Sequence, residues 1–214
     1  TAVQVAGDSD PREVLRRVLT AVEAMHRPLL FGSRSEPSDW PLAEQLALLR
    51  PGDVLIYCLH RGTESGDESI VKDGHVVDAV WEARERGVLF DVGHGMHSFD
   101  FGVAEAAIAE GFPPDTISTD IQRLHVGLEP QHDMPRAMSK LIAAGMPESE
   151  ALARATARPA QVLGLAGEVG TRAPGACADL AVLRWNPAAA PLVDVSGNTR
   201  PGGCLEPVLV VRGG

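Results

Sequence analysis

Three titratable side chains, Tyr57, His94 and Asp120, follow apolar runs of the sequence. Each comes at or just after the end of a run that predicts a buried strand. The carboxyl ends of parallel strands are where α/β proteins place their active sites. His94 lies between Gly93 and Gly95, which let the backbone approach a ligand closely. Its imidazole could therefore orient a substrate carboxylate or amide, or it could shape the turn through a hydrogen bond.

Two further side chains near these runs have both a chemical and a structural interpretation. A carboxylate such as Asp120 can receive a proton from a water molecule that attacks a carbonyl carbon, or it can cap the turn that follows. Ser98 could contact a substrate through its hydroxyl, or cap the helix predicted to start near Phe101. Cys58 is typical of a buried small hydrophobe, because the sequence shows no cation or helix N-terminus that would activate its thiol.

The elements that position these residues alternate between short apolar runs and amphipathic segments. The runs predict strands at residues 28–31, 53–58, 88–92 and 116–120. The amphipathic segments predict helices at residues 10–25, 41–49, 78–86, 101–110, 135–144 and 147–157. After Gly164 the chain is rich in Gly and Pro, with short β-like runs at 180–183 and 208–211. Such alternation predicts a parallel sheet; by itself it fits half of a barrel and a small doubly wound sheet equally well.

Composition excludes several classes of partner. The net charge of −10 argues against nucleic acid and anionic membrane, because both attract clustered Lys and Arg. The three cysteines are far apart and odd in number, which favours a reducing, cytoplasmic setting over a disulfide framework. The sequence has no apolar run of membrane length and no signal peptide. It begins at Thr1, so we expect a processed start or a piece of a longer chain.

Longer motifs give the sequence a family resemblance. The first is Phe-Asp-Val-Gly-His-Gly at residues 90–95, then Ser-Phe at 98–99 and Gly-Phe-Pro-Pro-Asp-Thr-Ile-Ser-Thr-Asp at 111–120. The second is Met-Ser-Lys at 138–140 with Gly-Met at 145–146, and the third is Gly-Thr at 170–171 with Ala-Asp-Leu at 178–180. Upstream, Leu-Arg-Pro-Gly-Asp-Val-Leu at 49–55 belongs to the same series. In this order, the motifs resemble the deacetylase/dihydroorotase-like branch of the amidohydrolase superfamily over essentially the whole chain.

The resemblance implies a fold. Members of that branch form a (β/α)8 barrel of the TIM type. The four predicted strands would be strands five to eight, so the chain would be the C-terminal half of such an α/β barrel plus the start of a small β-sandwich. Residues 1–163 would form the partial barrel and residues 164–214 the exit segment and partial β domain. The opening residues 1–10 would follow the lysine of strand four, and the first four strands would be absent.

The resemblance also implies a metal centre, with zinc as the expected divalent ion. Its ligands would be a His-x-His pair on strand one, a carboxylated lysine on strand four, a histidine on each of strands five and six, and an aspartate on strand eight. Asp120 matches the aspartate, but Gly32 and Tyr57 stand where the two histidines are expected. A catalytic Zn²⁺ usually takes three protein ligands and a water molecule, so we expect no metal in this chain alone. The alternative is that His60 and His97 replace the lost ligands.

Three functional hypotheses follow from the resemblance. The chain is the second half of a metal-dependent hydrolase that acts on a C–N bond in an amide or cyclic amide, and is inactive in isolation. Alternatively, it is a degenerate barrel that binds a small ligand without catalysis, or a subunit that associates with a separate N-terminal half-barrel or with itself. For the hydrolase, Asp120 is the candidate catalytic residue and metal ligand, and His94, Gly95 and Ser98 are the candidate substrate-binding residues. The other histidines, His26, His75, His125 and His132, are expected to be solvated.

Overall fold

The computed structural model describes residues 10–33, 39–62, 67–95, 97–129 and 132–214. Its first part contains α1 (Pro11–Ala24), β1 (Leu30–Gly32), α2 (Leu42–Leu48), β2 (Val54–Ile56), β3 (Val71–Lys72), β4 (His75–Val76), α3 (Asp78–Glu85), β5 (Leu89–Phe90), α4 (Phe101–Ala109), α5 (Met134–Ala143), α6 (Glu148–Ala155) and α7 (Ala157–Val162). Its C-terminal part contains β6 (Leu180–Asn186), β7 (Leu192–Val193), β8 (Thr199–Arg200) and β9 (Cys204–Val211). The expected relation of the opening segment to a strand-four lysine concerns residues 1–9, which lie outside the described residues.

The central sheet is parallel, with strand order β1-β2-β5. All three residues of β2 are buried, as expected for a strand covered on both faces. The carboxylate of Asp53 joins the starts of β1 and β2: its Oδ1 accepts from Leu29 N at 2.8 Å, and Arg50 donates to both of its oxygens. The predicted parallel sheet is therefore present, with strands shorter than the apolar runs.

The fourth predicted strand, at residues 116–120, forms only an isolated parallel bridge between Asp91 and Thr116. Beyond the bridge, Val92 N donates to Thr116 O at 3.1 Å. The next two backbone hydrogen bonds are donated by His94 N and Gly95 N, in the turn after β5. The buried carboxylate of Asp91 accepts hydrogen bonds from the hydroxyls of Thr116 and Ser118 and from Gly93 N. Side-chain contacts thus supplement the backbone ladder at this edge.

Helix boundaries follow the capping signals in the sequence. Asp10 caps α1 by accepting from Arg12 N at 3.0 Å, and Pro11 occupies the first turn. Asp100 and Asp133 cap α4 and α5 in the same way. A side-chain oxygen at this position satisfies one of the free N–H groups of the first turn.

Two segments differ from the sequence-based expectation. The polar loop after β2 contains the β3–β4 hairpin, which turns at Asp73 and Gly74, both with left-handed φ. The helix predicted at 147–157 ends at Ala155 as α6, and a separate helix that was not predicted, α7, follows a break at Thr156 with φ −132° and ψ −82°. Pro159 explains the break, because a proline ring clashes with the carbonyl four residues earlier and excludes Ala155 from a continuous helix.

The C-terminal part packs on the α/β part through α5 and α4. Leu205 N of β9 donates to Ser139 Oγ of α5 at 2.8 Å, and Phe101 N donates to Asp194 Oδ2 at 2.9 Å. The antiparallel β6–β9 ribbon exposes apolar side chains at Leu180, Val182, Trp185, Val208, Leu209 and Val210. The domain division at residues 163 and 164 stays a prediction. Among the described residues, every helix is too short or too polar to cross a membrane.

Candidate functional site

The turn after β5 lies against the segment that ends at Asp120. His94 N donates to Ser118 O at 2.9 Å, and Gly95 N donates to Thr119 O at 3.0 Å. A Cβ at Gly95 would lie 3.4 Å from Asp120 Oδ2 and 3.6 Å from Ser98 Oγ. The fold therefore brings three of the predicted site residues, Asp120, Gly95 and Ser98, to one point.

Tyr57 completes this cluster from β2. Its hydroxyl donates to Asp120 Oδ2 at 3.2 Å. Both residues have left-handed backbone, with φ of 66° at Tyr57 and 47° at Asp120, a conformation that is uncommon for residues other than glycine. Burial, then the charge of Asp120 and the hydrogen bond to it, raise the pKa of the Tyr57 phenol.

Two glycines make room for the ring of Tyr57. A Cβ at Gly32 would lie 3.3 Å from the ring atoms Cδ2 and Cε2, and a Cβ at Gly93 would lie 2.7 Å from Cδ1. The two positions at which the family histidines are expected are thus coupled, since a Cβ at Gly32 would be in tight contact with the tyrosine ring and a larger side chain would have to displace it.

The described residues do not fit a metal centre. Within the described ranges, no three His, Cys, Asp or Glu side chains are grouped so that they could hold a metal ion. Tyr57 binds Asp120 directly, and Gly32 has no side chain to offer. His60, a proposed replacement ligand, accepts from Gly62 N through Nδ1 at 2.9 Å, and burial lowers its pKa. The other proposed replacement, His97, is exposed.

Hydrogen bonds occupy both ring nitrogens of His94. Nδ1 lies 2.8 Å from Gly95 O, and Nε2 lies 2.9 Å from Lys140 Nζ. These partners assign the neutral tautomer in which Nδ1 donates and Nε2 accepts. Burial, with the nearby charges of Lys140 and His132, lowers the pKa of His94 to about 3. The imidazole therefore remains neutral at physiological pH, and its contact with a substrate stays a prediction.

Lys140 was not identified as a site residue from the sequence, although it lies in the Met-Ser-Lys motif. A helical lysine is normally solvated, so its residue type gives no sign of burial. Only the packing of α5 against the turn after β5 brings Nζ to His94, which is 46 positions away in the chain.

The expectation that His125 and His132 are solvated is wrong. His125 is only 4% exposed, and its Nδ1 accepts from Gln122 N at 2.8 Å, which closes a 3-10 turn. His132 is half-buried, and its Nε2 lies 2.7 Å from Thr119 O. The two rings are 4.5 Å apart, and His132 is 4.8 Å from His94. The bond from His132 to Thr119 O and the contact between the two rings hold both side chains against the segment at Thr119.

Comparison with known proteins gives the same family from sequence and structure. Residues 100–203 match the sequence model of the amidohydrolase family. A deacetylase of Enterococcus faecalis (strain ATCC 700802 / V583) is 34% identical over 98% of this chain and 56% of its own length. A deacetylase of Agrobacterium fabrum (strain C58 / ATCC 33970) is 38% identical over 57% of this chain and 29% of its own length.

Two crystal structures resemble the whole arrangement. One, of an adenine deaminase, has a TM-score of 0.81 and 33% identity over 95% of this chain and 54% of its own length. The other, of a dihydroorotase, has a TM-score of 0.74 and 31% identity over 93% of this chain and 50% of its own length. The chain spans about half the length of these relatives, which fits a partial barrel. It belongs to the amidohydrolase superfamily, as a deacetylase- and dihydroorotase-like member.

Proposed function

We propose that the protein to which this chain belongs hydrolyses a C–N bond in an amide or cyclic amide substrate. In this proposal the described half supplies Asp120 and the turn after β5, and is inactive alone. The convergence of Asp120, Gly95 and Ser98 beyond the carboxyl end of β5 carries the proposal. The names of its relatives, deacetylase, adenine deaminase and dihydroorotase, support the same reaction class.

The chemistry assigned to this half is proton transfer and substrate placement. Asp120 would accept a proton from a water molecule as the water oxygen attacks the amide carbon. It would then donate that proton to the leaving nitrogen as the C–N bond breaks. Gly95 would allow the substrate to approach the carboxylate closely, since even a Cβ would lie 3.4 Å from Oδ2. Ser98 would offer a hydroxyl beside the same point.

A second candidate is a barrel that binds a small ligand without hydrolysing it. The hydrogen bond from Tyr57 to Asp120 favours it, because the carboxylate is engaged by a phenol. The tyrosine ring against Gly32 favours it further, since this arrangement fills the space beside a position expected to hold a ligand.

Metal content and turnover of the purified chain test both candidates. We expect no stoichiometric zinc by elemental analysis, no zinc binding by calorimetry, and no acetate release from N-acetyl amino acids. Asp120→Ala should match the wild type in all three measurements. Tight one-to-one zinc binding that Asp120→Ala abolishes would overturn the assignment of ligand losses at Gly32 and Tyr57.

A pair of variants tests the coupling between Gly32 and Tyr57. The double variant Gly32→His/Tyr57→His places two imidazoles near Asp120, which makes the three protein ligands that zinc usually takes. We expect it to bind zinc, whereas Gly32→His alone should not, because Tyr57 still fills the space.

Saturable binding of N-acetyl amino acids to the wild type without turnover would favour the second candidate.

The chain also offers surfaces for a complementary half-barrel. A cavity of about 360 Å³ opens beside the strand starts and is lined by Leu30, Val54, Thr116, Ser118, Val162 and Leu163, among others. This cavity and the exposed apolar side chains of the β6–β9 ribbon support the proposal that an N-terminal half, or a second copy, covers apolar surface of the chain. Sedimentation velocity tests it: a monomer at all concentrations would exclude the second copy.

A further inference from the structure

A second cavity, of about 350 Å³, lies beside the N-terminal half of α5. Its walls combine apolar side chains from Phe99, Leu128, Ala137, Val193 and Val195 with polar groups from His94, His132, Arg136 and Lys140. This volume is at the lower end of the range for small-molecule sites, which pair an apolar lining with a few polar groups. It therefore suits a small, partly apolar molecule.

Two cations line this cavity without a counter-ion. Lys140 is 7% exposed, and its only hydrogen-bond partner among the described residues is the neutral imidazole of His94. Arg136, one helical turn earlier, makes one long bond of 3.4 Å from Nη2 to Pro191 O. Neither side chain forms an ion pair within the described ranges. A buried ammonium ion without an anion is costly, so Lys140 has unused capacity for a negative ligand. The half-buried guanidinium of Arg136 also has N–H groups left to donate.

The carboxylates of the cavity wall are occupied or exposed. Asp194 accepts four hydrogen bonds, from Phe101 N, Ser196 N, Asn198 N and Asn198 Nδ2. Asp133 accepts from Arg136 N as the cap of α5, and Glu129 is exposed to solvent. Among the described residues, none of them forms an ion pair with Lys140, and Asp194 acts on its charge only from a longer distance.

We propose that this cavity binds a small organic carboxylate, with Lys140 and Arg136 as its anion-binding groups. Charge-assisted hydrogen bonds from ammonium and guanidinium groups are the strongest that a carboxylate can receive, and the apolar wall receives the rest of the ligand. The proposal does not depend on hydrolysis at Asp120. His94 and Gly95 line this cavity, and Gly95 also lies beside Asp120. The bound carboxylate therefore lies next to the candidate site.

The protonation of Lys140 supports its assignment as an anion-binding group. Burial, with the charge of Arg136 and against that of Asp194, lowers the pKa of Lys140 to about 8. A bound anion stabilises the ammonium form, so binding must become weaker as the pH rises through this value. His132, Arg136, Asp133, Asp194 and Glu129 are the other charged or titratable groups at the cavity, together with neutral His94.

Calorimetric titration of the purified chain with benzoate tests the proposal, with benzamide as a neutral ligand of the same shape. We expect benzoate to bind at least about tenfold more tightly than benzamide at pH 6.5, since a charge-assisted bond is worth that much or more. Equal binding of the two compounds, or no binding of benzoate, would overturn the proposal. So would binding of inorganic phosphate in preference to benzoate, because the apolar wall would then be irrelevant.

Matched variants locate the site. Lysine occurs only at positions 72 and 140, so Lys72→Met on the exposed hairpin is the control for Lys140→Met. Arg16→Gln, on the exposed face of α1, is the control for Arg136→Gln. We expect about a tenfold or greater loss of benzoate affinity in each cavity variant and no change in the controls. If Lys140→Met fails to fold by circular dichroism, Arg136→Gln and the benzamide comparison still decide; unchanged affinity in Arg136→Gln would count against the site.

Discussion

The hydroxyl of Tyr57 donates to Asp120 Oδ2 across 3.2 Å, which joins the residue after β2 to the end of the segment that lies beside β5. Each has a left-handed backbone conformation that costs energy for a residue with a side chain. The surrounding fold maintains both conformations. The backbone at Tyr57 and Asp120 therefore departs from regular sheet structure at the point where the two side chains meet.

The phenol of Tyr57 should titrate above its ordinary value. Burial is the main cause, and Asp120 adds to it by charge and hydrogen bonding. This is the single tyrosine of the sequence, so absorbance at the wavelength of tyrosinate reports it without overlap. The raised pKa stabilises the folded state fully below about pH 10, and that contribution is lost as the pH rises through the folded-state value.

Asp120→Asn is the partner variant for this titration. It should lower the tyrosine pKa part of the way, because the burial contribution remains while the charge is removed. Tyr57→Phe should abolish the signal. A phenol that titrates at its ordinary value while circular dichroism shows a folded chain would contradict the contact with Asp120.

Gly93→Ala should destabilise the chain much more than Gly111→Ala. Both glycines have left-handed φ, 48° and 81°, so each alanine carries a backbone cost of about 1 kcal/mol. A Cβ at Gly93 would also lie 2.3 Å from Ile56 Cγ1, whereas nothing lies within 4 Å of one at Gly111. We expect an additional loss of about 1–3 kcal/mol from overpacking at Gly93, measured by urea unfolding. Similar losses at the two positions would show that the clash is absent in solution.

Asp53→Asn should weaken the junction between β1 and β2. The side chain is 1% exposed and receives bonds from Leu29 N and from Arg50. Burial opposes its charged form, but these bonds outweigh it and lower its pKa. We expect a loss of about 2 kcal/mol in unfolding free energy at pH 7, which shrinks as the pH falls through the lowered pKa.

The ion pair of Arg12 with Asp39 provides the control for Asp53. Its carboxylate side chain is 77% exposed, and exposed pairs contribute little because water screens them. Asp39→Asn should therefore leave the unfolding midpoint unchanged within error. A comparable effect of the two substitutions would argue against a special role of the Asp53 carboxylate in the sheet.

Thiol labelling should separate the three cysteines. Cys177 is exposed, whereas Cys58 and Cys204 are buried, and burial raises the pKa of the Cys58 thiol well above its ordinary value. A maleimide reagent at pH 7 should modify Cys177 quickly and the other two at least about tenfold more slowly. Burial shields both of them from the reagent, and at Cys58 the raised pKa also disfavours the reactive thiolate. Cys177→Ser should remove the fast phase, and urea should make all remaining thiols react. Fast modification of two or three thiols in the folded chain would contradict the burial.

Much of the framework could be predicted from sequence because it depends on local rules. Apolar runs, capping residues and proline positions gave helices close to their observed bounds and a parallel sheet, and family motifs gave the superfamily. Asp120 and His94 come at or just after predicted strand ends, where α/β proteins collect functional residues, and Gly95 and Ser98 belong to the family motif around His94. Such signals depend on residues that are close together in the sequence, so they can be recognised without a structure.

Only the tertiary structure decided which side chains touch. Tyr57 and Asp120 are 63 positions apart, and the left-handed φ of two non-glycine residues follows from packing rather than residue type. That Gly32 leaves room for the tyrosine ring depends on the register between β1 and β2. The burial of Lys140 under His94 likewise requires α5 to pack against the turn after β5. Contacts across such separations depend on how elements are stacked, a property of the folded chain that no local pattern records.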